Sequence, residues 1–201
     1  MIAPTLKMMG LAITALALAA CSKKDNSGAD TTAASSTVSA DTSAMTASST
    51  TSETWTDANI FALFDEANMA DSAGGALAAT KGTSSALRDF GKRMTRDHHT
   101  LRAQGEVLAK KLKITPTPPA DDNQVADAQK TMDNLNSTAK GKDFDKAYMD
   151  GEVEGHKKVL ELATKAFAQA QSTELKNLIQ KATPTIKGHL DLAESVQKNL
   201  K

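Results

Sequence analysis

Three histidines fall where apolar side chains are expected. Between Ser84 and Lys113 the positions Leu87, Phe90, Met94, His98, Leu101, Gly105, Leu108 and Leu112 recur in steps of three and four residues. That spacing is the seam of a long amphipathic helix, and His98 occupies a seam position. His156 and His189 sit in the same way on the stripes of two later segments. Neutral imidazole ligates zinc, iron, manganese or copper, and carboxylates complete such sets. Glu152 lies four residues before His156 on the same face. Asp97 adjoins His98, and Glu66 and Asp71 bracket the matching level of the first helix. The spacing therefore points to one transition-metal ion (Zn, Fe, Mn or Cu) held by His98, His156 and His189, with Asp71, Asp97 or Glu152 as ligand or as orienter of a ring nitrogen. His99 faces another way and reads as a surface residue. The bland alternative is that each buried ring hydrogen-bonds a neighbour and only fixes helix register.

These residues meet only if separate helices bring them to one level. Helix one is expected from about Asp57 to Thr80, with Thr56 or Asp57 as cap and the stripe Ile60, Leu63, Phe64, Ala67, Ala70, Gly74, Leu77. Its small residues at 67, 70 and 74 permit close helix approach. Lys81 to Ser84 is a turn, and helix two follows. Thr115-Pro116-Thr117-Pro118-Pro119 stops it. A short helix is expected from about Asp122 to Leu135, with Val125, Ala128, Met132 and Leu135 apolar, inside a connection long for a hairpin. Helix three spans about Asp143 to Ala170, with the stripe Phe144, Met149, Glu152, His156, Val159, Leu160, Ala163, Phe167. Ser172 caps helix four, which carries Leu175, Leu178, Ile179, Ala182, Ile186, His189, Ala193, Val196 and Leu200; Pro184 should kink or split it. The three histidines lie about 13 to 17 residues into their helices, so at 1.5 Å per residue their levels differ by roughly 6 Å at most. The expected fold is all-α: a four-helix bundle with a long crossover between helices two and three, the ferritin-like arrangement, with an up-down-up-down bundle as the alternative.

Composition bounds the function. Among 201 residues, 24 Lys and Arg balance 24 Asp and Glu. No basic face is on offer, so nucleic acid is not an expected partner. Aromatics are 3% of the chain, which with abundant Ala and Leu suits helices. The di-iron signature of bundles, Glu-x-x-His on two helices, is absent: Thr95 and Ile186 stand three residues before His98 and His189, and Glu152 is four before His156. No nucleophile motif or phosphate loop is present.

The first 21 residues read as an export signal. Lys7 supplies a basic start and Met8 to Ala20 an apolar run too short to span a bilayer. Leu18-Ala19-Ala20-Cys21 resembles the bacterial lipobox, which implies cleavage before Cys21 and its lipidation. Cys21 is the only cysteine, so no internal disulfide forms. The membrane is then a partner through the anchor. Ser22 rather than Asp implies, by resemblance to enterobacterial sorting, the periplasmic face of the outer membrane. Residues 22–54 are rich in Ser and Thr with almost nothing large and apolar, and are expected to be a disordered tether. Trp55 marks the border of a domain running to residue 201.

The blocks "ANMADSAGGALA", "FGKRMTRDHH", "FDKAYMDGEVEGHKKVLELATKA" and "ELKNLIQKATPTIKGHLDLAESV" resemble domain of unknown function family 4142. The resemblance covers roughly Trp55 to Val196. It implies an exported or outer-membrane protein grouped with ferritin-like bundles. The family's histidine positions match His98, His156 and His189. Its acidic position in helix one, usually Glu, matches the shorter Asp71. The family carries no established activity. Metal binding is thus the leading expectation. A non-catalytic envelope or stress-associated interaction domain with structural histidines is the alternative, and a metal-dependent redox enzyme the weakest reading. A protein partner and the oligomeric state are not read from the sequence.

Overall fold

The computed structural model describes residues 54–200. The export signal, Cys21 and residues 22–53 of the expected tether lie outside the described residues. Five helices and no strand occur among the described residues: α1 (Asp57–Lys81), α2 (Ser85–Leu112), α3 (Gln124–Ser137), α4 (Lys142–Gln169) and α5 (Thr173–Lys198).

Side-chain caps set the helix starts. The Thr56 hydroxyl accepts from the Asn59 amide, and the Asn59 side chain accepts from the Thr56 amide, a reciprocal box at the head of α1. Ser84 and Ser172 cap α2 and α5 through the amides of Leu87 and Leu175. Asp57, one of two expected caps for α1, serves another helix. Its carboxylate accepts from the amides of Gln171 and Ser172 at 2.7 and 2.9 Å, tying the start of α1 to the α4–α5 turn. At the other end the buried Asp145 accepts from the amide and hydroxyl of Thr83 in the α1–α2 turn.

These ties fix direction. The start of α1 lies beside the end of α4, so those helices run antiparallel. The start of α2 lies beside the start of α4, so α2 and α4 run parallel. The connection after α2 therefore travels the length of the molecule. It begins at the head of α1, where Thr117 exchanges hydrogen bonds with Ala58 and Asn59. It ends at the tail of α1, where the Lys81 ammonium donates to the carbonyls of Leu135 and Asn136. α1 pairs with α2 and α4 with α5; the pairs join through α2–α5 and α1–α4, and α3 lies along α1.

Several sequence expectations shift. Besides the expected small residues at 67, 70 and 74, α1 and α2 approach backbone to backbone at Gly75 and Gly91. A Cβ on Gly75 would lie 2.6 Å from the Gly91 carbonyl. Val125 and Phe167 are exposed instead of buried. At the end of α4, Ala166 and Ala170 face the core in place of Phe167, because small residues let the α1 head and α5 pack closely there. Pro184 does not split α5, which is continuous. The amide hydrogen Pro184 lacks would have served the carbonyl of Gln180, a solvent-exposed residue whose carbonyl water can satisfy. Trp55 packs against the end of α4. Its amide donates to Gln169 and the Lys165 ammonium sits 3.6 Å from its ring centre.

The apolar core comes in two parts. One gathers Leu87, Phe90, Met94, Phe144, Tyr148 and Met149; the other gathers Ile60, Phe61, Ala163, Leu175 and Ile179. Between their levels lies a polar layer.

Candidate metal centre

Each long helix sends a side chain into that layer: Asp71 from α1, His98 from α2, Glu152 and His156 from α4, His189 from α5. The structure brings the three rings together. Their centroids are 5.1 Å (His98–His189), 5.5 Å (His156–His189) and 5.6 Å (His98–His156) apart. All three are buried, His156 completely. One ligand atom from each lies within 4.8 Å of the others, and the same holds for Asp71, Glu152 and His156. His156 belongs to both groups, so five residues form one continuous site. The buried His, Asp and Glu groups could hold a metal ion.

The hydrogen bonds decide which nitrogen of each ring is free. His156 Nδ1 donates to the Glu152 carbonyl at 2.9 Å, one turn back on its own helix. A carbonyl can only accept, so Nδ1 carries the proton and Nε2 a lone pair. His189 Nε2 donates to the Asp97 carboxylate at 3.0 Å, which leaves Nδ1 with the lone pair. His98 Nδ1 meets Asn68 Oδ1 at 2.9 Å, and the Asn68 amide nitrogen donates to the Phe64 carbonyl, which turns Oδ1 toward the ring. His98 Nε2 is then the free nitrogen. Those three nitrogens, with Glu152 Oε2 and Tyr148 Oη, are buried without a hydrogen-bond partner. Buried unpaired polar atoms are rare and costly, and five in one layer call for a cause.

The electrostatics have the same sense. Burial, with the neighbouring imidazoles, holds His98 down to about 3, so it is neutral at any physiological pH. Burial also lowers His189, partly offset by Asp97. Burial raises Asp71, and His156 offsets part of that rise. Glu152 is pushed well above the carboxylate range by burial and then by the charge of Asp71. Two carboxylates this close, with Glu152 buried and Asp71 only partly exposed, cannot both ionise cheaply unless a cation joins them. Gly74 of α1 faces the Glu152 carboxylate: a Cβ added there would stand 3.7 Å from Glu152 Oε1 and 3.6 Å from the Tyr148 ring, ordinary contact distances.

Asp97 is placed differently from the other acids. It belongs to neither ligand group. Burial pushes it up, but hydrogen bonds from Arg96 and His189 outweigh that and hold it low, with Arg93 adding a further contact. Its position suits an outer carboxylate that orients His189. Asn68 and Tyr148, absent from the sequence reading, belong to the surroundings of the layer. Asn68 had a signal, lying three residues before Asp71 on α1, and Tyr148 had one, lying four residues before Glu152 on α4.

Glu66 lies outside the layer. Burial, then the neighbouring Asp122 and Asp65, raise it to about 7 from 4.5. A carboxyl whose folded value exceeds its unfolded one stabilises the fold at low pH, and that stabilisation is lost as pH rises from about 4.5 through 7. Glu66→Gln should therefore melt higher than the native chain at pH 8, with the gap closing by pH 4.5; melting curves across that range test it.

An all-helical protein with a buried histidine and carboxylate layer is what the site defines. The chain matches the family described as "Domain of unknown function (DUF4142)" over residues 39–196, and it belongs to that family. The match starts upstream of Trp55. No curated protein and no solved structure matches the chain. Among the described residues no helix is long and apolar enough to cross a membrane.

Proposed function

We propose that this chain binds one transition-metal ion in its polar layer, through His98 Nε2, His156 Nε2 and His189 Nδ1, with Asp71 and Glu152 as the acidic ligands. The observation that carries the reading is the pairing of each ring: one nitrogen fixed by an acceptor of the protein, the other buried and bare. Metal-ligating histidines have this arrangement because the outer hydrogen bond fixes tautomer and ring orientation. The donor set of imidazole and carboxylate suits Zn, Fe, Mn or Cu. Metal competes with protons for the two carboxylates, whose raised values make that competition felt, so affinity should rise with pH.

The fold supporting the site is best read as a ferritin-like four-helix bundle of α1, α2, α4 and α5, with α3 on the crossover. The parallel run of α2 and α4 favours this over an up-down-up-down bundle, which would make them antiparallel. The lipobox and the Ser/Thr-rich stretch support an exported, lipid-anchored protein on the periplasmic face of the outer membrane.

Elemental analysis of the full chain, purified without a His tag, should show about one metal ion per chain. Chelator should lower its melting temperature by roughly 5–10 °C, the effect of losing a ligand present at about 100 times its Kd. A second reading, in which the layer only fixes helix register within an interaction domain, is favoured by each ring already having one hydrogen bond. It predicts no bound metal and no effect of chelator.

A further inference from the structure

Directly beside the histidine layer, toward the α4–α5 turn, the interior holds a cavity of about 150 Å³. Its body is apolar: Phe61, Leu101, Val159, Leu175, Ile179 and Ile186 line it. At the level of the polar layer, Asp71 and His98 also line it. Between α1 and α2 it is edged by the half-exposed ion pair of Arg102 and Asp65, 2.6 Å apart. An apolar cavity of roughly this size, about 150 Å³, accommodates a benzene ring. A purely hydrocarbon cavity would reject a hydroxyl, because burying it unpaired costs roughly 1–3 kcal/mol. Here the polar end offers acceptors: the buried His98 Nε2 has no hydrogen-bond partner, and Asp71 Oδ2, partly exposed, lies 3.5 Å from it.

We propose that this cavity binds a small uncharged aromatic alcohol of the phenol class, with its ring among the apolar side chains and its hydroxyl directed to the His98–Asp71 end. The inference stands on the cavity and its lining; a metal ion held by His98 Nε2 and Asp71 would take the same acceptors, so the hydroxyl is received in the metal-free chain. Both phenyl rings of the wall, Phe61 and Phe64, belong to α1 and offer edges and faces to an aromatic ring. The hydroxyl oxygen keeps its proton and donates it in a hydrogen bond; no bond is made or broken.

Gly105 supplies the means to plug the site. It lines the cavity, and a Cβ added there meets nothing within 4 Å. Gly105→Leu should fold, with an unchanged helical circular dichroism spectrum and a melting temperature at least that of the native chain, since glycine is the poorer helix residue. Calorimetric titration of phenol and of benzene into the full chain, treated with chelator, is the experiment. Phenol should saturate one site at least tenfold more tightly than benzene, and Gly105→Leu should abolish the binding. Absence of saturable phenol binding, benzene binding as tightly as phenol, or native phenol affinity in folded Gly105→Leu would each overturn the proposal. Chelator treatment keeps these outcomes separate from the metal reading, since a bound ion would take His98 Nε2 and Asp71.

Discussion

His156→Leu is expected to empty the polar layer of metal while leaving the chain folded. His156 is the hinge of the site, because it belongs to both the three-histidine group and the group with Asp71 and Glu152. Its ring is fully buried, and its bare Nε2 has no other partner. Leucine keeps the bulk and removes the donor. The carbonyl of Glu152 loses the Nδ1 hydrogen bond but keeps its place in the helix ladder. The variant should therefore hold no stoichiometric metal, and the chelator-sensitive part of the melting temperature, roughly 5–10 °C, should vanish. Asp97→Ala provides the graded comparison. It touches no proposed ligand atom, yet removes the acceptor that orients His189. Loss of such an outer partner lowers metal affinity by about 10–100-fold. Metal titrations of the two variants beside the native chain measure both effects. Native metal content in His156→Leu would end the metal reading.

Gly91→Ala is expected to cost the fold about 3 kcal/mol, and Gly75→Ala a similar amount. A Cβ on Gly91 would stand 2.5 Å from the Gly75 carbonyl and 2.8 Å from the Ala79 amide nitrogen. These are backbone atoms, which cannot rotate aside as a side chain can. The helices must separate, and the contact of α1 with α2 is the most extensive in the molecule. Better helix propensity returns about 1 kcal/mol, which is already counted in that net figure. For a domain of this size the melting temperature should fall by roughly 10 °C. Gly105→Ala, which meets open space, should instead hold or raise it. Chemical or thermal denaturation of the three variants side by side tests the contrast; equal behaviour of Gly91→Ala and Gly105→Ala would show that the crossing is not close.

The helices and most of their inner faces are legible in the spacing of apolar residues, Val125 and Phe167 excepted. Periodicity marked the seams through His98, His156 and His189, and depth along each helix placed those rings near one level, because a helix's rise per residue is fixed by its backbone hydrogen bonds. The serines at 84 and 172 announced two helix starts for the same local reason. Tertiary structure decided everything that depends on how one helix faces another. Sequence spacing puts Asp97, Asp71 and Glu152 at similar depth, but only packing brings Asp97 to His189 of another helix while Asp71 and Glu152 enter the layer. It also decided which nitrogen of His98 and of His189 is bare, since their acceptors come from other helices. The crossing at Gly75 and Gly91 was hidden because a glycine in a helix reads locally as a weakness, and becomes a requirement only when a second backbone lies against it. The seam of α2 below His98 shows the same limit: Leu101 and Gly105 keep the helical period, yet they border a cavity rather than a closed core, because nothing in one helix's sequence fixes how far away its neighbours stand.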